Sequence, residues 1–500
     1  MGRTVILGLD GFHNDLLDFT PAINDLYESY PSARLESTIP PVTAPAWAGF
    51  QTGKNQGKHG IFDFVTYSEN FSVSLLDGRS LDSVTFYELL SEEGYTCYLQ
   101  NLPFSLPPRI EGDIMPSWLD GDGVSPQPDD LCDRLGVEKP RYPELDGSDT
   151  ENVAEMRDTF RHNKDTFLSV LNQEEHDFLF HLVSVTDWLQ HAAYLSLIQN
   201  PQSDVAKRAK KLLADVDEYV ERVSNDLDDT DDLILLSDHG FRVFDDYFFV
   251  NDWLQESGYL KQSRHGTTFE NKSKELDDTE EINVGVFGQL IRQSPFLLRA
   301  VKPVKRAIEN LSGKELKAEP GIDLSESVAY CRSKDECAIR VNNDVVSESE
   351  TLKEEIQRRF DDVEDIAAYL DREVYSGPHV EAAGDVILSS AKYKISRGPR
   401  GEVHSGNSVA HHGQYGILVG VGPSFHEAPS DPHLLDVAPT LLHQFSLPVP
   451  EDIDGRVLTE WLDDNTDVTY RSSNDTSYSF FSKEATDEGV EDRLENLGYL

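Results

Sequence analysis

Three apolar runs, each closing on an acid, constrain this chain more than any other feature. Thr4 to Leu9 ends in Asp10-Gly11, Asp177 to Val185 leads straight into Thr186-Asp187, and Leu233 to Ser237 ends in Asp238-His239-Gly240. Short continuous runs without polar alternation read as strands covered on both faces, as in a parallel sheet packed between helices. Helical periodicity over Asn152 to Leu171 and Asp204 to Asn225 supplies the covering layers. Open parallel sheets carry their sites outside the carboxyl ends of the strands, where all of these acids fall.

The rest of the chain fills in around that pattern. Val84 to Glu93 reads as a helix and Tyr95 to Gln100 as a strand, and the Pro-, Asp- and Gly-rich residues 101–150 are expected to wander over the surface. Asp385 to Ser389 and Tyr415 to Val421 read as a fourth and a fifth buried strand, the latter preceded by His411-His412-Gly413. Strand-rich sequence covers Val328 to Asn342, and a helix is expected near Thr351 to Phe360. Val490, Leu494 and Leu497 stand at helical spacing near the C-terminus. These patterns divide the chain into a first part of an α/β catalytic core over 1–260, an inserted cap over 261–325, the completion of the core over 326–465 and a polar C-terminal arm over 466–500. The insertion is basic, with Arg292, Arg299, Lys302, Lys305 and Arg306. Such a segment either guides an anionic substrate, touches an anionic lipid surface through 290–310, or is a solvated helix face.

Composition excludes several classes of partner. The 500 residues carry a formal net charge of −47, a hydrated, repulsive surface like that of proteins from strong salt. A phosphate backbone would be repelled nearly everywhere, so no nucleic acid partner is expected. Cys97, Cys132, Cys331 and Cys337 show no paired CxxC spacing, which argues against structural zinc and for a reduced compartment. The opening strand leaves no room for a signal peptide, and no apolar run approaches the roughly 20 residues of a spanning helix. A cytoplasmic protein is expected.

The stretch from Thr38 to Phe64, TIPPVTAPAWAGFQTGKNQGKHGIFDF, gives those acids something to act on. Pro40-Pro41 holds an extended segment and Pro45 suits the first turn of a helix, so Thr43 falls near the start of a short helix from Ala44 to Thr52. A hydroxyl there meets unpaired backbone N–H groups and the positive dipole end, which favour a phosphoryl group or an alkoxide. Asp187 and His191 stand four apart in TDWLQH, on one face of a helix. Two mixed oxygen and nitrogen sites can then be assembled: Asp10, Asp238, His239 and the oxygen of Thr43, and Asp187, His191 and His412. Carboxylate and imidazole ligands fit two divalent ions, zinc or manganese. Such a pair would activate Thr43 to attack phosphorus and form a covalent phosphoryl-type intermediate that water hydrolyses. Taken singly, each element has an ordinary explanation as a turn, a solvated helix face or a helix cap. Their joint placement at strand ends does not.

The motifs LGLDG, PPVTAPAWAGFQTGKNQGKHGIFDF, TDWLQH, LLSDHGF with its trailing VNDWLQESGYL, HHGQYGILVGVGP and DVAPTLLHQFSLPVPEDIDGRVL together resemble the type I phosphodiesterase/nucleotide pyrophosphatase family of the alkaline phosphatase superfamily. The resemblance spans nearly the whole chain and is weakest in 101–150 and 261–325. It implies an α/β fold with a mostly parallel sheet flanked by helices, a two-metal phosphodiesterase activity on an anionic phosphoester, and Asp10, Thr43, Asp187, His191, Asp238, His239 and His412 as site residues. It favours His412 over His411, because the family's metal histidine lies four residues before the glycine opening the next strand, here Gly416. Two departures stand out. The nucleotide pyrophosphatase branch has an Asn that helps hold the phosphoryl oxygens where this chain has Phe64, which shifts that role to the Ala44 backbone or to Lys54, Asn55 or His59. The sulfatase signature of Cys or Ser followed by x-Pro-Ser-Arg is absent.

Two rival readings remain at this level: a phosphomonoesterase or phosphoryl transferase on the same site, and a non-catalytic acidic interaction protein whose site has decayed. The last would lack ligands, and none is missing.

Overall fold

In the computed structural model the described residues are 2–67, 73–262 and 322–472, apart from residues 122, 174, 335, 399 and 463–465. The basic segment with Arg292, Arg299, Lys302, Lys305 and Arg306 and the helical pattern of Val490, Leu494 and Leu497 lie outside them.

A seven-stranded sheet is assembled, in chain order, from β1 (Thr4–Leu9), β2 (Ser32–Glu36), β3 (Cys97–Gln100), β4 (Asp113–Met115), β5 (Phe178–Val183), β6 (Asp232–Leu236) and β7 (Tyr415–Val421). Its spatial order is β2-β7-β6-β1-β5-β3-β4. β1 pairs in parallel with both β5 and β6, and only β7 runs against its neighbours. The register sets Leu9 beside Val183 and Gly8 beside Leu236. Asp10, Asp187 and Asp238 therefore leave the sheet along one edge, as the sequence pattern predicts.

Alternation along β1 explains the two faces. Val5, Leu7 and Leu9 join the core beneath the helices α2 (Asp149–Leu171), α3 (Val185–Gln199) and α4 (Asp204–Asp226), although α1 (Thr43–Thr52), introduced by the Thr43 stretch, packs on the other side. Ile6 faces that other side with Trp47 and Phe50 of α1 and with α5 (Val437–Gln444). α4 turns Ala206, Ala209, Leu213, Val216, Val220 and Val223 inward at helical spacing. Ser148 and Glu151 form a capping box that starts α2.

The approach of α1 to the sheet depends on one missing side chain. A Cβ on Gly8 would lie 2.6 Å from the Trp47 ring, so glycine here lets the Trp47 ring sit directly on β1. Trp47 then packs edge-on to Phe50 and Phe180, at 5.4 and 5.7 Å between centroids. Each such buried aromatic contributes roughly 3 kcal/mol of transfer free energy. The helix that carries Thr43 is thus fixed against the strand that carries Asp10.

One expectation is corrected. Residues 101–150 do not wander over the surface: Asp113–Met115 forms the sheet's edge strand, and Leu102, Phe104, Ile110, Trp118, Leu119 and Leu131 are buried. Their spacing has neither helical nor strand period, so burial left no pattern to read. The buried strand expected at Asp385 to Ser389 is present as Val386–Ser389, in a second, four-stranded antiparallel sheet with Ala329–Tyr330, Ala338–Val341 and Ala367–Leu370. That sheet has its own core, including Phe248, Leu254, Ile339, Ile356 and Phe360. Among the described residues no helix is long and apolar enough to cross a membrane.

Candidate active site

α1 begins at Thr43 itself, with Val42 in extended conformation before it and no side-chain cap. Pro45 has no N–H and the Ala46 N–H bonds to Val42 O, which leaves the Ala44 amide among the first-turn donors. The Thr43 side chain is buried, and its Oγ1 lies 3.1 Å from His239 Nε2. The same nitrogen is 3.4 Å from Asp238 Oδ2 and 3.8 Å from Asp10 Oδ1. One residue past β1 and two past β6, strand geometry has placed these side chains together at the first turn of α1.

The second group forms beside the first. Asp187 and His191 lie four apart at the start of α3, with His191 Nε2 3.4 Å from Asp187 Oδ2. His412 comes from a two-stranded ribbon in which Val409–Gly413 pairs with Gly240–Phe244, His412 opposite Phe241. Its Nε2 lies 3.4 Å from Asp187 Oδ1 and 2.9 Å from His191 Nε2. The rings of His239 and His412 stack at 3.9 Å, so the two groups abut. In each group one atom per residue lies within 4.8 Å of those of the others.

The hydrogen bonds fix tautomers. His239 Nδ1 donates to Gly240 O at 2.9 Å and His412 Nδ1 to Pro41 O at 3.1 Å. Both imidazoles therefore keep the lone pair on Nε2, the atom turned into its group. His411 is the reverse: its Nδ1 accepts from the His412 backbone N–H, so its proton sits on Nε2. A carbonyl and an amide thus separate two adjacent histidines chemically.

Electrostatics describe a site short of positive charge. Burial carries Asp10 well above the ordinary carboxylate range, and the charges of Asp238 and Asp187 add to it. Burial pushes Asp238 up to about 7, with Asp187 adding and a bond from the Gly11 N–H opposing. His239 and His412 are pulled down to about 4, chiefly by burial. Burial also works to raise Asp187, but His191 and His412 outweigh it and hold that carboxyl well below its usual value. Buried Asp10 Oδ1 and Asp238 Oδ2 have no hydrogen-bond partner among the described residues. Orphaned carboxylate oxygens beside neutral imidazole lone pairs are the donor set a divalent cation satisfies.

Other candidates fall elsewhere. Lys54, Asn55 and Lys58 lie beyond the far end of α1, where Asp452 and Asp454 bind them. His59 is buried, pulled down to about 3 by burial, and its Nδ1 accepts from the Ile61 N–H. Phe64 is buried edge-on to Trp118 at 5.4 Å between centroids. Trp118 in turn meets Trp188, the neighbour of Asp187, at 5.9 Å.

Sequence reasoning missed Gly11, His13, Thr186, Gln190 and Lys394. Thr186 and Gln190 sit one residue before Asp187 and His191, at the same helical spacing, but only the packing of α3 tells which pair faces what. Lys394 lies buried on Tyr393–Ser396, and after burial its charge is the main influence that lowers His411.

The sequence matches the family model of type I phosphodiesterase / nucleotide pyrophosphatase over residues 4–383, a span that holds every site residue above except those of the His411-His412 pair and Lys394. No curated protein matches the chain. Among solved structures, the phosphonoacetate hydrolase of Sinorhizobium meliloti 1021 in complex with phosphonoformate is similar at TM-score 0.54 and 14% identity, over 87% of this chain and 94% of that one. An inactive form of murine ectonucleotide pyrophosphatase / phosphodiesterase 5 in complex with AMP is similar at TM-score 0.50 and 12% identity, over 93% and 100%. Its human counterpart gives TM-score 0.50 and 12% identity, over 92% and 100%. At such identities the likeness is one of fold, the alkaline phosphatase-like sheet with its flanking helices. With that fold and a family match over most of its length, the chain is a phosphoester hydrolase and belongs to the type I phosphodiesterase / nucleotide pyrophosphatase family.

Proposed function

We propose that this chain is a two-metal phosphodiesterase in which Thr43 is the nucleophile and is transiently esterified by the phosphoryl group. The observation that carries the reading is the Thr43 hydroxyl, buried at the first turn of α1 and 3.1 Å from His239 Nε2, where three acids and three imidazoles converge. Asp10, Asp238 and His239 with Thr43 Oγ1 would hold one divalent ion, and Asp187, His191 and His412 the other. The mixed oxygen and nitrogen donors suit zinc, with manganese second. When bound, such ions supply Lewis-acid polarisation and lower the pKa of the oxygens they hold.

The chain's own groups do the rest. Gly240 O and Pro41 O keep the His239 and His412 protons on Nδ1, away from the reacting atoms. The Thr43 hydroxyl gives its proton to solvent and its oxygen bonds to phosphorus as the bond to the leaving oxygen breaks, the leaving group departing as an alcohol once it takes a proton from water. Water then cleaves the Thr43 ester and restores the hydroxyl. Negative charge that develops at the first turn of α1 meets the helix dipole and the Ala44 amide.

Preference for a diester follows from what is near Thr43. Ala44, Pro45, Ala46 and Trp47 bring no charge, and Lys54 and Lys58, past the C-terminal end of α1, are engaged by Asp452 and Asp454. A monoester dianion would need a further cation. The buried positive charge of Lys394, which acts on His411, is the observation that favours the second reading, a phosphomonoesterase.

Metal analysis of purified protein, followed by kcat/KM on bis(p-nitrophenyl) phosphate and p-nitrophenyl phosphate in high salt, tests the proposal. The expected result is two ions per chain, a higher value for the diester, and loss of both activities by at least about a thousandfold in Thr43→Ala. A clear monoester preference would promote the second reading. Full activity in Thr43→Ala would sink both.

A further inference from the structure

Helix α3 carries two adjacent pairs of residues at i, i+4 spacing. Asp187 and His191 present ligand atoms, whereas Thr186 and Gln190 grip the turn after β1. Gln190 is 1% exposed, and its Nε2 lies 2.9 Å from Gly11 O and 3.1 Å from Thr186 O. Both carbonyls can only accept, so the amide nitrogen belongs on that side and Oε1 must accept. It does so from His13 Nε2 at 2.9 Å. Thr186 Oγ1 reaches Asp10 O at 2.6 Å and Val183 O at 2.8 Å, tying the same helix turn to the same loop.

Gly11 is the pivot of this arrangement. Its N–H donates to Asp238 Oδ1 at 3.2 Å and its carbonyl accepts from Gln190. A Cβ added there would sit 2.9 Å from Asp187 Oδ1 and 3.3 Å from the His239 ring. One residue therefore contacts the first ligand group through Asp238 and the helix of the second through Gln190.

We infer that Gln190 is a positioning residue that sets the spacing between the two ligand groups, although it offers no ligand atom to either. The inference rests on the two-metal reading above. A rotation of α3 about its axis, or a slide along the β1 turn, would move Asp187 and His191 together against Asp10 and Asp238. The bond to Gly11 O opposes both movements, as does the Thr186 Oγ1 bond to Asp10 O, while the bond to Thr186 O and the His13 ring hold the amide in its orientation.

The test loads wild type, Gln190→Met and Gln190→Glu with Mn²⁺ at equal free concentration. Ion counts by atomic emission, electron paramagnetic resonance spectra, melting temperature and kinetics on bis(p-nitrophenyl) phosphate are then read together. Gln190→Met removes the amide donors at similar length, and Gln190→Glu keeps the volume but turns an acceptor toward two carbonyls. Wild type should bind two ions with a spin-coupled spectrum. Both variants should lose the coupled signal, and kcat should fall about 10- to 100-fold with KM changed by less than about threefold. Gln444→Met is the control: Gln444 bridges Thr4 and Asp232 at the opposite edge of the sheet, so its loss should lower the melting temperature and leave the coupled spectrum intact. If one Gln190 variant fails to fold, the other is read alone. Wild-type spectra and kcat in the folded Gln190 variants would overturn this inference alone. Fewer than two ions in wild type would overturn the two-metal reading and this inference with it.

Discussion

Replacing Gly11 by alanine separates backbone strain from damage to the site. Gly11 has φ +63°, so any side chain there incurs the left-handed cost of about 1–2 kcal/mol. The new Cβ would also press on Asp187 Oδ1 at 2.9 Å, with the His239 ring at 3.3 Å behind it. Crowding of that kind in a packed region adds about 1–3 kcal/mol. Gly94 supplies the comparison, since its φ is +89° but an added Cβ meets nothing within 4 Å. Gly94→Ala should therefore lose about 1–2 kcal/mol and no turnover, and Gly11→Ala about 2–5 kcal/mol. Relief of the contact moves the Asp187 carboxylate, and displacements near 1 Å cost on the order of a hundredfold in rate. Chemical unfolding of both variants in matched salt, with diester kinetics alongside, reads the two effects. Equal destabilisation of the two variants together with undiminished turnover in Gly11→Ala would refute the claim that this glycine lets the two ligand groups meet.

Three further outcomes are expected. Phe64→Asn, which restores the amide of the nucleotide pyrophosphatase branch, should lower stability by about 3–5 kcal/mol without raising diester kcat, because Phe64 is buried against Trp118; a gain in turnover would show that this position faces the substrate. His412→Gln should lower metal content toward one ion per chain while His411→Gln keeps two, as atomic emission can measure, since only His412 turns an Nε2 lone pair inward; the opposite result would reverse the assignment. Burial alone would raise Asp215, but bonds from Arg157 and Arg161 outweigh it and hold its carboxyl below the ordinary value. A depressed folded pKa stabilises above the unfolded value of about 3.9 and is lost as pH falls through the folded one. The stability gap between wild type and Asp215→Asn should be steady above about pH 5 and close below about pH 4, and a gap undiminished in acid would rule the pairing out as its source.

What could be read from the sequence was whatever has a period or a strand end. The apolar runs before Asp10, Asp187 and Asp238 are uninterrupted, so the parallel sheet and the edge that gathers its acids were both legible. Residues 101–150 were not, because Leu102, Ile110, Ile114 and Trp118 are buried at irregular spacing by loops that cross the sheet edge. The ligand groups could be assembled because each member follows a strand or stands at i, i+4. Gln190 escaped for the reason that makes it informative: on paper it is one more polar residue on a helix, and only the seating of α3 against the turn after β1 gives its amide the Gly11 carbonyl and the His13 imidazole. Lys54 and Asn55, offered with His59 and the Ala44 backbone as partners of the phosphoryl oxygens, stand past the C-terminal end of α1 against Asp452 and Asp454, and nearness in sequence hid the helix between them and Thr43.

The central claim, that Thr43 attacks phosphorus before water does, is tested most directly by the stereochemical course of hydrolysis at phosphorus. A chiral phosphorothioate diester hydrolysed in ¹⁸O-enriched water reports it in one product analysis. Attack by Thr43 inverts the centre once and attack by water inverts it again, so the account predicts net retention. Net inversion would mean a single displacement by water and would contradict it.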